Sequence, residues 1–592
     1  MTDTPRRTAD LIDEAETLDD GSLDDVLEGG DGGPPQPPGE DGGDDDGGSR
    51  FPPIDPETVR ACALLDQNDT DNGRRLLNHF RDEWLNVREI GPHAWNGRHW
   101  DPEGGPESLE RLAQEVARRI KLEGPEIQPG KRDREAMEVA DPLLGRAADE
   151  LSEDDKSVLK QGLQARARLG KRRADRHKFA VSCGNRARTL AMIAQAMPHR
   201  TVPPAALDAD PMMFNLENGT LVFSRHVTHE PDPECPDPDV VRTRRKVRVA
   251  MRLVPHDRMH LIAKIAPVAF DRRARCRRFM RFLRRFQPDR RQRKFLQEAV
   301  GRALIGGATT QVLIFLYGDG ANGKSAFMET IAELLGAYAG RLKPESISGL
   351  TEGRGDQATP DFARLAGKRF VAIAELPRGA PLREGLVKTM TGGEPMPVRH
   401  LNKGFFDLLP EFIPFMSGND LPEVGGLDHG IWRRLKFVHW PVTLDEGEQR
   451  PLHDVVNEFL EEAPGILNWA IEGALRFLRD GLRDPPTVAA LTAAHRSDLD
   501  PVGAFLAACV KKRPGSQVQA RTMYEAFVSF CGANAIRAWK ETAFGKAMKK
   551  KGFVRDDKRI RLWLDVDLHD VPARPEPVTA KPRSPLDGSD DD

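Results

Sequence analysis

One stretch constrains this chain more than any other: VLIFLYGDGANGKSAFMETIAELLG, residues 312–336. The apolar run 312–317 reads as a buried strand, and GDGANGKS (318–325) fits G-x-x-x-x-G-K-[ST]. Phe327, Ile331, Leu334 and Leu335 then recur at helical spacing. Strand, glycine loop and helix in this order predict an α/β sheet with a phosphate cradle at its edge. Gly318, Gly320 and Gly323 let backbone N–H groups wrap a β-phosphate, and the helix N-terminus adds partial positive charge. Gly318, Asp319, Gly320, Ala321, Asn322, Gly323, Lys324 and Ser325 are therefore the candidate nucleotide-binding residues. Lys324 offers a cation to the β/γ oxygens and the Ser325 hydroxyl a ligand for Mg²⁺.

Three further segments fit the same sheet. GKRFVAIAEL (367–376) carries a short buried strand, 370–374, followed by Glu375, an acid able to hold the Mg²⁺ shell and orient an attacking water. EFIPFMSGND (411–420) is a third apolar strand, ending in Asn419. Parallel strands that end side by side bring such polar residues to one edge of the sheet. GIWRRLKFVHW (430–440) sets Arg433 and Arg434 before another apolar strand. A guanidinium stabilises charge on a γ-phosphoryl and can come from a neighbouring subunit; an ordinary surface pair is the alternative.

The 592 residues suggest three or four domains. No apolar run reaches the ~18 residues of a membrane span, and the N-terminus lacks an apolar signal core. Six scattered cysteines without a CxxC pair disfavour a disulfide scaffold or zinc ribbon and suit a reducing cytosol. The net charge of −4 conceals a segregation. Residues 1–50 carry −13 and residues 571–592 carry −2, leaving +11 on residues 51–570. A basic body points to a polyanion, most simply nucleic acid. The Gly/Pro/Asp-rich segment 1–50 cannot bury enough apolar surface to order itself, and serves as a solubilising tail or as a nucleic-acid-mimicking or partner-recruiting arm.

Residues 56–200 read as mostly helical. Leu76, Phe80 and Trp84 share one face, as do Leu109, Leu112, Val116 and Ile120. NVREIGPHAWNGRHW suggests a small hairpin, FNLENGTLVF (214–223) a strand, Asn-Gly turn and strand, and PDPECPDPD (231–239) a loop. Residues 241–300 hold 20 Lys+Arg against 4 Asp+Glu. Within them 272–286 interleaves arginines with Phe279, Phe282, Leu283 and Phe286, either as a solvated helix face or as a phosphate-contacting one. Near the C-terminus, RTMYEAFVSFC (521–531) predicts a helix with Tyr524, Phe527, Val528 and Cys531 on one face. A basic helix presenting Lys546, Lys549 and Lys550 and a strand pair over 553–566 follow it. This is a winged-helix pattern, serving DNA or a protein partner.

The combined motifs GDGANGKS, LAGKRFVAIAE, LVKTMTGGEPMPVRHLNK (386–403), FMSGNDLP and DHGIWRRLKFV resemble the superfamily 3 helicases of the AAA+ class. The similarity is to the branch with satellite-phage primase-helicases and the poxvirus primase-helicase. DTDNGRRLLNHF, WNGRHW and FNLENGTLVF look like the helical domain that precedes the ATPase in that branch. The resemblance implies a multi-domain α/β chain. Its parts are a disordered tail (1–52), a helical N-terminal domain (53–270), an AAA+ P-loop ATPase with a central parallel sheet (271–485), a winged helix (500–570) and a second tail (571–592). It makes Lys324, Glu375, Asn419 and Arg433 or Arg434 catalytic, with Ser325 and Glu375 on the metal. It also implies that Lys388, Arg399, His400 and Lys403 line a hairpin, with Gly392-Gly393 at its tip, that meets a DNA strand in the channel of a homo-hexamer. Glu394 stands where the family has Asp. The expected function is an ATP-dependent DNA helicase for a phage, plasmid or integrated element. It would be cytoplasmic, off the membrane and without a priming domain, so that a separate primase or initiator is an expected partner. A loader or remodelling ATPase and a non-enzymatic DNA-binding initiator are the alternatives.

Overall fold

Strand β1 (Leu313–Tyr317) owes its place to an unbroken apolar run whose alternate side chains enter two different cores. Ile314 and Leu316 join one, with Phe279, Phe327 and Trp469. Leu313 and Phe315 join the other, with Val387, Trp432 and Phe437. Cover on both faces is the condition for a parallel sheet. In the computed structural model, β1 pairs in parallel with β4 (Ile413–Gly418) and β5 (Leu435–His439). The sheet continues through β3 (Phe370–Ile373) to β2 (Ala339–Leu342), giving the order β5-β1-β4-β3-β2. The structure describes residues 51–146, 150–231, 243–307, 310–349, 360–377, 379–399, 404–425, 429–534, 536, 538–557 and 560–573. Residues 1–50 and 574–592, read from the sequence as tails, and most of the 231–239 loop lie outside these. Phe51 and Pro52, assigned to the tail, are instead held. Phe51 packs 6.2 Å from Phe80, and the Pro52 carbonyl accepts a hydrogen bond from Arg119.

The chain is multi-domain α/β, with five sheets among the described residues. From Pro56 to Ala196 it is mainly helical, including the 31-residue helix Glu153–Cys183 with its Ser152–Asp155 capping box. Leu76, Phe80, Trp84, Leu109, Leu112, Val116 and Ile120 form one core, as their spacing predicts. Beneath it the buried Glu123 carboxylate accepts from Arg75 at 2.8 Å and from Arg176. The aromatic stretch 86–100 forms the expected hairpin, Gly91–Trp95 with Trp100–Asp101.

Strands Met213–Leu216, Gly219–Pro231 and Thr243–Val254 make an antiparallel sheet. Leu216 pairs with Gly219, so the turn is Glu217-Asn218, one residue before the expected Asn-Gly. Phe214, Leu216, Leu221, Phe223 and Met251 belong to the same core as Ile314 and Leu316. The 270/271 boundary expected from the sequence thus falls inside one shared core.

Helix α1 (Arg277–Phe286) begins five residues after the predicted 272, and α2 (Arg290–Arg302) follows it. Helix α3 (Lys324–Leu335) leaves the glycine loop, α4 (Glu384–Gly392) precedes the basic hairpin, and α5 (Ala463–Asp480) packs against α2. At the C-terminus, helices Pro501–Cys509, Ala520–Ala533 and Glu541–Lys550 pack on a three-stranded antiparallel sheet. Its longest strand, Val510–Gln519, pairs with Leu562–Leu568 and was not expected. In the helix Ala520–Ala533, Phe527 and Cys531 are buried as predicted, whereas Tyr524 and Val528 are only partly covered.

Candidate nucleotide site

The C-terminal ends of β1, β3 and β4 converge, since β4 lies between the other two. Lys324, the first residue of α3, is buried, and its ammonium is held inside the loop. It donates to the Gly318 carbonyl at 2.5 Å, the Asp319 carbonyl at 3.3 Å and Asn419 Oδ1 at 3.4 Å. The Asn419 amide donates in turn to Glu375 Oε1, two residues beyond the end of β3. Three of the predicted residues, each following the end of a different strand, therefore form one connected polar chain. Burial holds the Lys324 ammonium below its ordinary range, against the opposing pull of Glu375 and Asp319. Glu375, Asn419, Asp319 and Ser325 are exposed, so a ligand can reach them.

The loop is braced from outside. Gly323 caps α3 at φ 81°, where a side chain is strained, and a Cβ there would stand 2.7 Å from the Phe282 ring of α1. Asn322 is buried and donates to the Trp440 carbonyl at 3.4 Å, and Leu444 N–H donates to the Ala321 carbonyl at 3.0 Å. Tyr317 stacks on His439, with ring centroids 4.7 Å apart. The first N–H groups of α3 have no intrahelical acceptors and carry the positive end of the helix dipole. Buried cation, helix N-terminus and a left-handed glycine cap fit a polyphosphate. Ser325 and Glu375 offer the oxygen ligands that Mg²⁺ takes when it arrives with phosphate.

Residues 73–288 match the family model described as "D5 N terminal like". The chain is 35% identical over 159 residues to "Putative helicase L207/L206" of Acanthamoeba polyphaga mimivirus, covering 26% of this chain and 16% of that protein. It is 24% identical over 292 residues to "Putative helicase 022R" of Frog virus 3, covering 47% and 30%. To "Putative primase C962R" of African swine fever virus it is 25% identical over 252 residues, covering 39% and 26%. The matched segments span less than a third of each of these relatives. Among solved structures, "The A form apo structure of NrS-1 C terminal region-CTR" aligns with a TM-score of 0.31 at 12% identity, covering 51% of this chain and 78% of that one. The segment match and the relatives together support a primase-helicase family.

The remaining predicted residues lie away from the loop. Arg433 and Arg434 precede β5, whose first residue Leu435 pairs with Leu313 at the start of β1. They therefore sit at the opposite edge of the sheet, roughly 13 Å of strand from the glycine loop. Arg434 is buried and donates to the Gly430 carbonyl at 2.7 Å. Arg433 is exposed and donates to Gln311 Oε1 at 2.9 Å, and the Gln311 amide donates to the Gly392 carbonyl at 3.0 Å.

Gly392-Gly393 is not the tip of the basic hairpin. Gly393 adopts φ 77° and ends α4, as glycines do after a helix. The hairpin is instead Met396–Arg399 with Phe405–Leu408. Lys388 lies on α4 and not on the hairpin. Arg399 closes the last described pair, with its guanidinium 4.9 Å from the centre of the Phe405 ring. Phe405 is 54% exposed, and the sequence reading missed it because it attended only to cations. His400 and Lys403 lie outside the described residues. On the helix Glu541–Lys550, Lys546, Lys549 and Lys550 are exposed, and Lys549 pairs with Asp557 at 2.9 Å. Among the described residues no His/Cys/Asp/Glu cluster could hold a metal on its own, and no helix is long and apolar enough to cross a membrane.

Proposed function

We propose that the chain is an ATP-dependent replication helicase whose motor is an AAA+ P-loop unit working in a ring, most simply a homo-hexamer. The observation that carries this reading is the chain Lys324–Asn419–Glu375 at one sheet edge. The loop 318–325 would hold the ATP phosphates, with Lys324 releasing its carbonyl partners to take β/γ oxygens. Ser325 and Glu375 would hold Mg²⁺, which when bound neutralises charge on the phosphates. Glu375 would orient and deprotonate the attacking water, and Asn419 would fix both Glu375 and Lys324. Arg433, exposed at the far edge, suits a neighbour's γ-phosphate, whereas Arg434 is spent on its own backbone. Arg399, Phe405 and the residues between them would track a single DNA strand, by charge and by stacking on a base. The C-terminal unit would act as a winged helix on DNA or on a partner protein. The helicase and primase names of the viral relatives support the replication setting.

ATP-driven displacement of a labelled strand from a forked duplex tests this, with Lys324→Ala as control. Displacement by the wild type alone is the expected result. Hydrolysis without displacement would favour a loader or remodeller, and neither activity in folded protein would reject the motor.

A further inference from the structure

Helix α1 carries two rows of arginine on one cylinder. Its apolar face, Phe279, Leu283 and Phe286, is buried, and Phe279 stacks on Phe327 of α3. One row, Arg278 and Arg285, is bound to the chain's own carboxylates: Arg278 to Glu461 at 2.5 Å, Arg285 to Glu448 at 2.7 Å. Glu462 also accepts from the Arg278 and Phe279 backbone N–H groups. These contacts clamp the helix at both ends.

The second row is Arg277, Arg281 and Arg284. Spacings of four and three residues put them on one face, spread over about 10 Å of helix axis. All three are exposed, and no described residue forms an ion pair or hydrogen bond with their side chains. Three guanidiniums in a line on a clamped helix form no concavity for a small anion. They match an extended polyanion whose phosphates follow one another, and the guanidinium fork suits phosphate oxygens. The excess of 20 basic over 4 acidic residues across 241–300 gives the surroundings the same sign.

We propose that Arg277, Arg281 and Arg284 form a nucleic-acid backbone site, separate from the 396–408 hairpin, on the helix that braces the glycine loop. Phe282 and Phe286 of this helix lie against Gly323, so a strand on the row is one helix width from the nucleotide site. The proposal rests on the reading of the chain as a DNA motor.

The test is fluorescence anisotropy of a labelled oligothymidine over a salt series, using the full chain. The wild type is compared with Arg277→Gln/Arg281→Gln/Arg284→Gln and with the corresponding triple Lys variant. A charge-matched control, Arg132→Gln/Lys160→Gln/Lys171→Gln, removes three exposed cations from the N-terminal helices. The Gln triple should flatten the slope of log K against log salt by about 2, at ~0.7 per phosphate contact. The Lys triple should restore it and the control should leave it near wild type. An unchanged slope in the Gln triple, or equal flattening in the control, overturns the proposal. So does an unchanged slope with an altered association state in sedimentation, which would make the row a subunit contact. Wild type that binds no strand at all would instead reject the motor reading beneath it.

Discussion

The two edges of the central sheet are built from the same five strands and do opposite things. At the C-terminal edge, loops from β1, β3 and β4 bring Lys324, Asn419 and Glu375 into one hydrogen-bonded chain. At the N-terminal edge, Arg433 points away from that chain and is linked through Gln311 to the end of α4. A single copy therefore holds the Lys324–Asn419–Glu375 chain and an arginine that cannot reach it. Under the proposed function the difference has one meaning: a complete site needs two copies, and the arginine of one serves the loop of the next. The Gln311 bridge also places that arginine next to the helix leading into the basic hairpin.

The most severe way to break the contrast is Lys324→Ala. Nucleotide binding and hydrolysis should both vanish, measured by equilibrium dialysis and phosphate release. Arg433→Ala should spare nucleotide binding but slow hydrolysis on the order of 10³-fold. Arg434→Ala should act differently, lowering the melting temperature, because it removes a buried side chain bonded to the Gly430 carbonyl. Glu375→Gln keeps the amide–carbonyl geometry with Asn419 but removes the base. Hydrolysis should fall by about 10²-fold while binding persists, in single-turnover assays.

The smallest effect lies in the helical unit. His79 is half-buried, and that burial, with Arg119 and Arg75 nearby, lowers its pKa from 6.5 to about 4. The unfolded chain then binds the extra proton, so this contribution is full above pH 6.5 and is lost as pH falls toward 4. Thermal melts at pH 7.5 and 5 should differ by about 1–2 kcal/mol more in the wild type than in His79→Gln.

Much of the sheet was legible because its strands are short, continuous apolar runs ending in polar residues. Glu375 and Asn419 could be placed at one edge on that ground alone. Other parts were hidden for definite reasons. Gly392-Gly393 suits a tight tip as well as a helix end, and only the α4 contacts decide between them. Strand Val510–Gln519 contains Pro514 and Gly515 and shifts register between Lys512 and Gln517, so no alternation marks it. Strand Thr243–Val254 had a signal that charge obscured. Val247, Val249, Met251 and Leu253 alternate with Lys246, Arg248, Ala250 and Arg252. The contact of Phe282 with Gly323 joins residues far apart in the chain, and no local pattern reveals it.

The most direct test of the two-copy site is to mix two inactive variants. Lys324→Ala retains the arginine and Arg433→Ala retains the loop, so a ring assembled from equal amounts contains some neighbour pairs with both. Random mixing should recover up to about a quarter of the wild-type hydrolysis rate, because one ordered pair in four is complete. A mixture as inactive as its components, although the two variants co-assemble, would contradict the shared site.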